Sequence, residues 1–238
     1  MVKKNKLQEI VVNIPLNVCT TDLDSNIIVA NDIAANLMGF NSSDQTVDKT
    51  YENMSCDLAE MSEVFKKQDA LVLMRKETTT ILSYLCYPDD EWKLVLGTKS
   101  PIYDDTGHLM GLMAVWQDCT HKSLIDLVPG LLSGEKRLLD RSHAYQFSYV
   151  VDDKAYEDSL TERQLECVFY LLRGKTAKEI GDFLCLSDRA IESHIENLKD
   201  KFNCSKKPDL INRLLEKGYL QYFPSSLFKL LQKGKKIL

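Results

Sequence analysis

The chain has 238 residues, 44% hydrophobic and 27% charged, with ten glycines and six prolines, a make-up that suits folded domains and excludes collagen-like, low-complexity and disordered chains. At this length two domains of ordinary size are a better expectation than one. The net charge of −5 hides an asymmetry: residues 158–238 carry 15 Lys and Arg against 11 Asp and Glu, whereas residues 1–157 carry 15 against 24, as expected when one end of a chain meets a polyanion.

No apolar run approaches the roughly 20 residues that cross a bilayer. The N-terminal segment is basic at Lys3, Lys4 and Lys6, but Asn13, Pro15 and Asn17 interrupt its apolar stretches, unlike a secretory signal. A cytoplasmic protein with no membrane partner is expected. Seven cysteines (Cys19, Cys56, Cys86, Cys119, Cys167, Cys185 and Cys204) are scattered without a C-x-x-C pair, so they read as reduced, mostly buried small hydrophobes and not as disulfides or metal ligands.

In chain order, Val18–Thr21 and Ile27–Ala30 flank the turn-rich Asp22-Leu23-Asp24-Ser25-Asn26 and predict a β-hairpin. Helices are expected near 32–38 and 57–69. The stretches at 71–87, 92–103 and 108–120 read as strands, the last two separated by the turn signal Asp104-Asp105-Thr106-Gly107. Residues 121–157 mix charge, aromatics and Pro129-Gly130 and are read as a connector. From Leu160 on, the periodicity is helical. Leu165, Val168, Phe169 and Leu172 share one face of a helix that ends at Gly174. Thr176 and Glu179 have capping-box spacing before Ile180, Gly181 and Leu184. Ser187 can cap a third helix carrying Ile191, Ile195, Leu198 and Phe202. Pro208 opens a fourth, around Leu210–Leu215. Residues 221–238 are a tail with a short amphipathic stretch and a basic end.

The third helix is two-faced. At 100° per residue its four apolar residues fall within about 40° of one direction, with Arg189, Ser193, Glu196 and Asn197 opposite. Ser193, Glu196 and Asn197 can hydrogen-bond base edges in a major groove, and Arg189, Lys199 and Lys201 can meet phosphates. Lys175, Thr176, Lys206 and Lys207 flank them. Periodicity alone equally allows a helical bundle whose polar face is only solvated. His194 reads as a packing or surface histidine, since no other His or Cys lies at metal-ligand spacing.

The segment LTERQLECVFYLLRGKTAKEIGDFLCLSDRAIESHIENLKDKF resembles the LuxR/GerE-type helix-turn-helix. That resemblance implies a four-helix DNA-binding domain over 158–220, with Gly174, Glu179, Ile180, Leu184, Leu186, Ser187, Ile191 and His194 in the framework. It puts Glu192, Ser193 and Glu196 at base-facing positions, counts Ser187 with the DNA-facing set, and makes the fourth helix a dimerisation helix centred on Leu210 and Leu214. Two departures stand out: Arg163-Gln164 replaces the usual Arg-Glu pair, and Gly181 replaces the usual alanine. TTDLDSNIIVANDIAANLMGF and KSPIYDDTGHLMGLMAVWQDCT resemble a PAS domain over 1–120, implying a five-stranded antiparallel sheet with helices on one face around a cavity able to hold a small ligand.

The cofactor stays unknown. Haem is disfavoured because His108 and His121 are not on a central helix, and covalent flavin because Cys56 lacks the photosensor context. Trp92 and Trp116 read as core aromatics ahead of ligand-stacking ones. The fold class is α+β, with no catalytic motif, and the function expected is a homodimeric, sequence-specific regulator bound to double-stranded DNA and controlled by a ligand or partner. The alternative is an acyl-homoserine-lactone receptor, whose Trp-x-x-x-Tyr signature is absent here.

Overall fold

The computed structural model describes residues 2–54, 56–88, 90–120, 146–151 and 160–232. They form two compact units. One holds the residues up to Thr120 together with Gln146–Val150, and the other holds Val151 and the residues from Leu160 on. His121, most of the 121–157 connector and the basic end of the tail lie outside the described residues. Among the described residues no helix is long and apolar enough to cross a membrane.

The first unit runs α1 (Val2–Val12), β1 (Asn17–Thr21), β2 (Ile27–Ala30), α2 (Asp32–Leu37), three 3-10 turns, α3 (Ser62–Arg75), β3 (Thr79–Cys86), β4 (Trp92–Tyr103), β5 (Leu109–Asp118) and β6 (Phe147–Val151). Strands β1 to β5 make the order β2-β1-β5-β4-β3 through antiparallel pairs. This is the five-stranded antiparallel arrangement that the sequence implied. The first hairpin closes on Asp22, whose Oδ1 accepts from Asp24 N (3.0 Å) and Asn26 N (2.8 Å). The second closes on Asp104, whose carbonyl accepts from Gly107 N (3.0 Å).

Alternation along the strands sends residues to both faces. Cys19, Ile27, Leu85 and Val95 pack with Ala34, Met38, Tyr51 and Leu58 from the helical segments. On the opposite face, Val18 and Val29 meet Val11 and Leu7 of α1. Helices therefore cover both faces, where one was expected. A further difference is α3, which continues to Arg75 and stops at Lys76 in the left-handed region (φ 57°), so Leu71–Arg75 is helix and not strand. A short apolar run does not distinguish a buried helix from a strand. The third difference is β6, which lies beside β3 in the sheet.

The interior of this unit contains an ion pair. Lys99 Nζ lies 2.6 Å from Asp69 Oδ1, and the two side chains are 9% and 1% exposed. Asp69 Oδ2 accepts from Ser25 Oγ and Tyr51 Oη, both at 2.8 Å, and Lys99 Nζ also donates to the Phe65 carbonyl (3.2 Å). Burial, followed by the adjacent Asp69 charge, pushes the Tyr51 hydroxyl well above the usual tyrosine range.

The second unit is helical: α4 (Glu162–Leu171), α5 (Ala177–Leu184), α6 (Asp188–Lys201), α7 (Lys207–Glu216) and, after the extended pair Tyr222–Phe223, α8 (Ser225–Gln232). Thr161 with Gln164 and Thr176 with Glu179 form capping boxes at the starts of α4 and α5, satisfying amides that a helix start leaves unpaired. The tail is part of this core. Phe223 and Leu227 are fully buried, Phe223 meets Phe169 edge-on at 4.9 Å, and Ser226 Oγ donates to the buried Glu166 carboxylate (2.7 Å).

Removing one partner of a buried ion pair leaves the other charge uncompensated, so Lys99→Ala should cost the first unit about 3–5 kcal/mol. Both tryptophans, Trp92 and Trp116, are in that unit, and urea unfolding followed by their fluorescence reads this cost directly. A loss under about 1 kcal/mol, the range of an exposed pair, would show that the pair does not hold the unit together.

Candidate nucleic-acid interface and ligand cavity

The approach of α5 to α6 is set by one small residue. Cys185 caps α5 in the left-handed region (φ 55°), and Leu186 N donates to the Gly181 carbonyl (2.9 Å). A Cβ on Gly181 would lie 2.6 Å from the Leu186 carbonyl oxygen, closer than atoms tolerate. Gly181 is therefore more than a helix-weakening departure from alanine, because it is what lets the turn between the helices close this tightly. Cys185 is exposed, whereas Cys19, Cys86 and Cys167 are buried. Burial pushes the Cys19 and Cys167 thiols up to about 12. Among the described residues no group of three His, Cys, Asp or Glu could hold a metal.

Helix α6 begins at Ser187, whose Oγ accepts from Ala190 N (3.2 Å). Its inner face is Ile191, Ile195 and Leu198, all buried, with Phe202 following at its C-cap. Arg189, Glu192, Ser193, Glu196 and Asn197 are exposed, so the outward set derived from the helical wheel is gathered on one open face, with Asp200 also exposed on this helix. His194 is half-buried. Lys199 is less available than the sequence implies. Its side chain is 17% exposed, its Nζ is 2.7 Å from Glu196 Oε2, and it also donates to the Ser205 carbonyl (3.5 Å). Lys201 is exposed and lies 3.4 Å from Gln164 Oε1.

Thr176 is exposed, but its hydroxyl is occupied by the capping box with Glu179. Gln164, the other departure, serves a similar purpose: its Oε1 accepts from Thr161 N (3.1 Å), completing the cap as a glutamate would but without the charge. Lys175 is half-buried, with its Nζ 5.6 Å from the Phe183 ring centroid. Lys206 and Lys207 are exposed at the start of α7.

On α7, Leu210 and Leu214, the residues expected to centre a dimer contact, are fully buried within their own chain. On this helix Leu215 is 44% exposed, Ile211 is half-buried, and these are the apolar residues left for an interface. Leucines three and four apart share one face; sequence spacing shows that the face is apolar, not whether it turns inward or outward.

In the first unit a cavity of about 110 Å³ lies between the sheet and the helical segments, lined among others by Tyr51, Phe65, Gln68, Ser83, Lys99 and Trp116. Trp116 packs against the core and lines this space. Trp92 instead lies 5.0 Å from the Tyr84 ring. His108 is exposed in the β4–β5 turn.

Residues 158–214 match the luxR family of bacterial regulatory proteins. The chain is similar to the transcriptional regulatory protein LiaR of Bacillus subtilis, 38% identical over 50 residues that span 21% of this chain and 24% of that protein. The match thus covers about a quarter of that relative's length. Among solved structures, the Vibrio cholerae VqmA dimer is 23% identical, covering 94% of this chain and 92% of that one with a TM-score of 0.48. A phage VqmA–DPO complex is 29% identical, covering 95% and 94% with a TM-score of 0.47. The PAS domain of Bordetella pertussis BvgS is 15% identical, covering 52% and 92% with a TM-score of 0.45.

Gly181→Ala tests the close approach of α5 to α6. Intrinsic propensity favours alanine by about 1 kcal/mol in a helix interior, whereas overpacking a tight contact costs about 1–3 kcal/mol. The clash is with backbone and should win, so circular-dichroism melting of the helical unit should show a lower Tm. An unchanged or raised Tm would mean that the turn has room for a methyl group.

Proposed function

We propose that the chain is a cytoplasmic transcription regulator that binds double-stranded DNA as a homodimer through α6, under the control of a small molecule held in the cavity of its PAS-like unit. The observation that carries the DNA reading is the open polar face of α6 within a LuxR-type domain. Ser193, Glu196 and Asn197 offer donors and acceptors for base edges, and Arg189, Lys201, Lys206 and Lys207 offer cations for phosphates. Glu192 and Glu196 make this face unusually acidic. A carboxylate beside phosphates is tolerated when it accepts from a cytosine amino group, and the contact with Lys199 already offsets the Glu196 charge.

The cavity supports a ligand of about one ring. An apolar cavity of roughly 150 Å³ accommodates benzene, and this one is of that order. Such a space favours a small molecule over an acyl-homoserine lactone with its extended tail. Dimerisation is assigned to the exposed apolar residues Ile211 and Leu215 of α7, which would set two α6 helices against two half-sites.

Gel shifts with genomic fragments test the main reading, and no retardation at low salt would refute it. Lys201→Ala should weaken all bound fragments alike, whereas Ser193→Ala should change which are preferred. Glu196→Gln should release Lys199, strengthening binding at low salt and steepening the slope of log K against log salt by about one unit. An unchanged slope would remove Lys199 from the interface. Leu215→Arg should yield monomers in sedimentation and weaken palindromic sites; a dimer surviving that change would locate the interface elsewhere.

A further inference from the structure

Gln68 of α3 is 4% exposed and lines the cavity. Its Nε2 donates to Ser148 Oγ (2.8 Å), with the Ser148 carbonyl at 3.5 Å, and Ser148 Oγ shares a second hydrogen bond with Ser83 Oγ of β3 (2.7 Å). Gln68 Oε1, the other end of the same amide, is buried and has no partner. Buried amide oxygens are almost always paired, and an exception calls for a reason. Three polar side chains of the cavity wall are already engaged: Lys99 with Asp69 and the Phe65 carbonyl, Tyr51 with Asp69, and Ser83 with Ser148. An apolar cavity with one unmet acceptor suits a small, largely apolar molecule that donates one N–H or O–H.

The amide is planar, so a donor that fixes the direction of Oε1 also fixes the direction of Nε2. Nε2 holds β6, and β6 is the strand that precedes, across residues 152–159, the start of the helical unit at Leu160. We infer that Gln68 is a positioning residue that carries occupancy of the cavity to β6, with a bound donor on Oε1 tightening the Nε2 bond to Ser148. This rests on the ligand-cavity reading proposed above, and the test separates the two.

The probes are phenol, which carries an O–H donor, and toluene, which has the same shape and none, each added to the full chain at millimolar concentration. Entry is read from amide shifts of cavity-lining residues such as Leu85 and Trp116, and the response from hydrogen exchange at Phe147–Val151. In the unsubstituted protein both probes should enter, and phenol alone should slow exchange in β6 by about fivefold, the scale of one hydrogen bond. In Gln68→Leu both should enter and neither should slow it. Should Gln68→Leu not fold, Ser148→Ala keeps Oε1 and removes the side-chain link, and phenol should then enter with a reduced response in β6. Phenol that enters without slowing β6, or that slows it equally in Gln68→Leu, overturns the inference and leaves the cavity reading intact. Entry of neither probe overturns the cavity reading, and the inference with it.

Discussion

A single buried carboxylate organises the first unit. Asp69 receives Lys99 from β4, Ser25 from the β1–β2 turn and Tyr51 from a 3-10 turn, while it sits itself on α3. An ionised group removed from water is tolerated only when its lone pairs are met, so these segments have to arrive together for any of them to settle. The ammonium is shared as well: it lies 5.4 Å from the Tyr51 ring centroid and 5.6 Å from that of Phe65, where cations are favoured. The carboxylate, the ammonium and the Tyr51 hydroxyl on this side of the cavity therefore satisfy one another.

The helical unit is held differently, by backbone proximity and end caps. Helix α6 is placed by a glycine that lets a turn close and by hydroxyls that cap the helix starts. The Ser187 and Thr176 hydroxyls both serve as caps.

The sequence shows most clearly the features that depend on local spacing. The inner face of α6, both hairpin turns and the cap at Thr176 could be read because a helix repeats every 3.6 residues, turns favour Asp, Asn and Gly, and a capping box pairs residues three apart. What stays hidden is what joins distant positions or reverses an orientation. Nothing near Asp69 points to Lys99, and nothing near Gln68 points to Ser148, eighty residues away. Helix α1 is obscured because exposed Ile10 and Val12 flank the buried Val11 and blur the side on which Leu7, Val11 and Ile14 pack. The burial of Leu210 and Leu214 stays hidden for a related reason, since an apolar stripe serves a core and an interface equally well.

The tail shows where this domain ends as a physical object. The residues matching the luxR family stop at 214, yet Phe223 and Leu227 beyond them are fully enclosed, and Glu166 inside α4 relies on Ser226 as well as on Arg163. A protein cut at the edge of the shared motif would open the Phe169 side of its core to water and leave a buried carboxylate one partner short. The compact helical unit is accordingly longer than the motif that it matches, because Phe223 and Leu227 are part of its core.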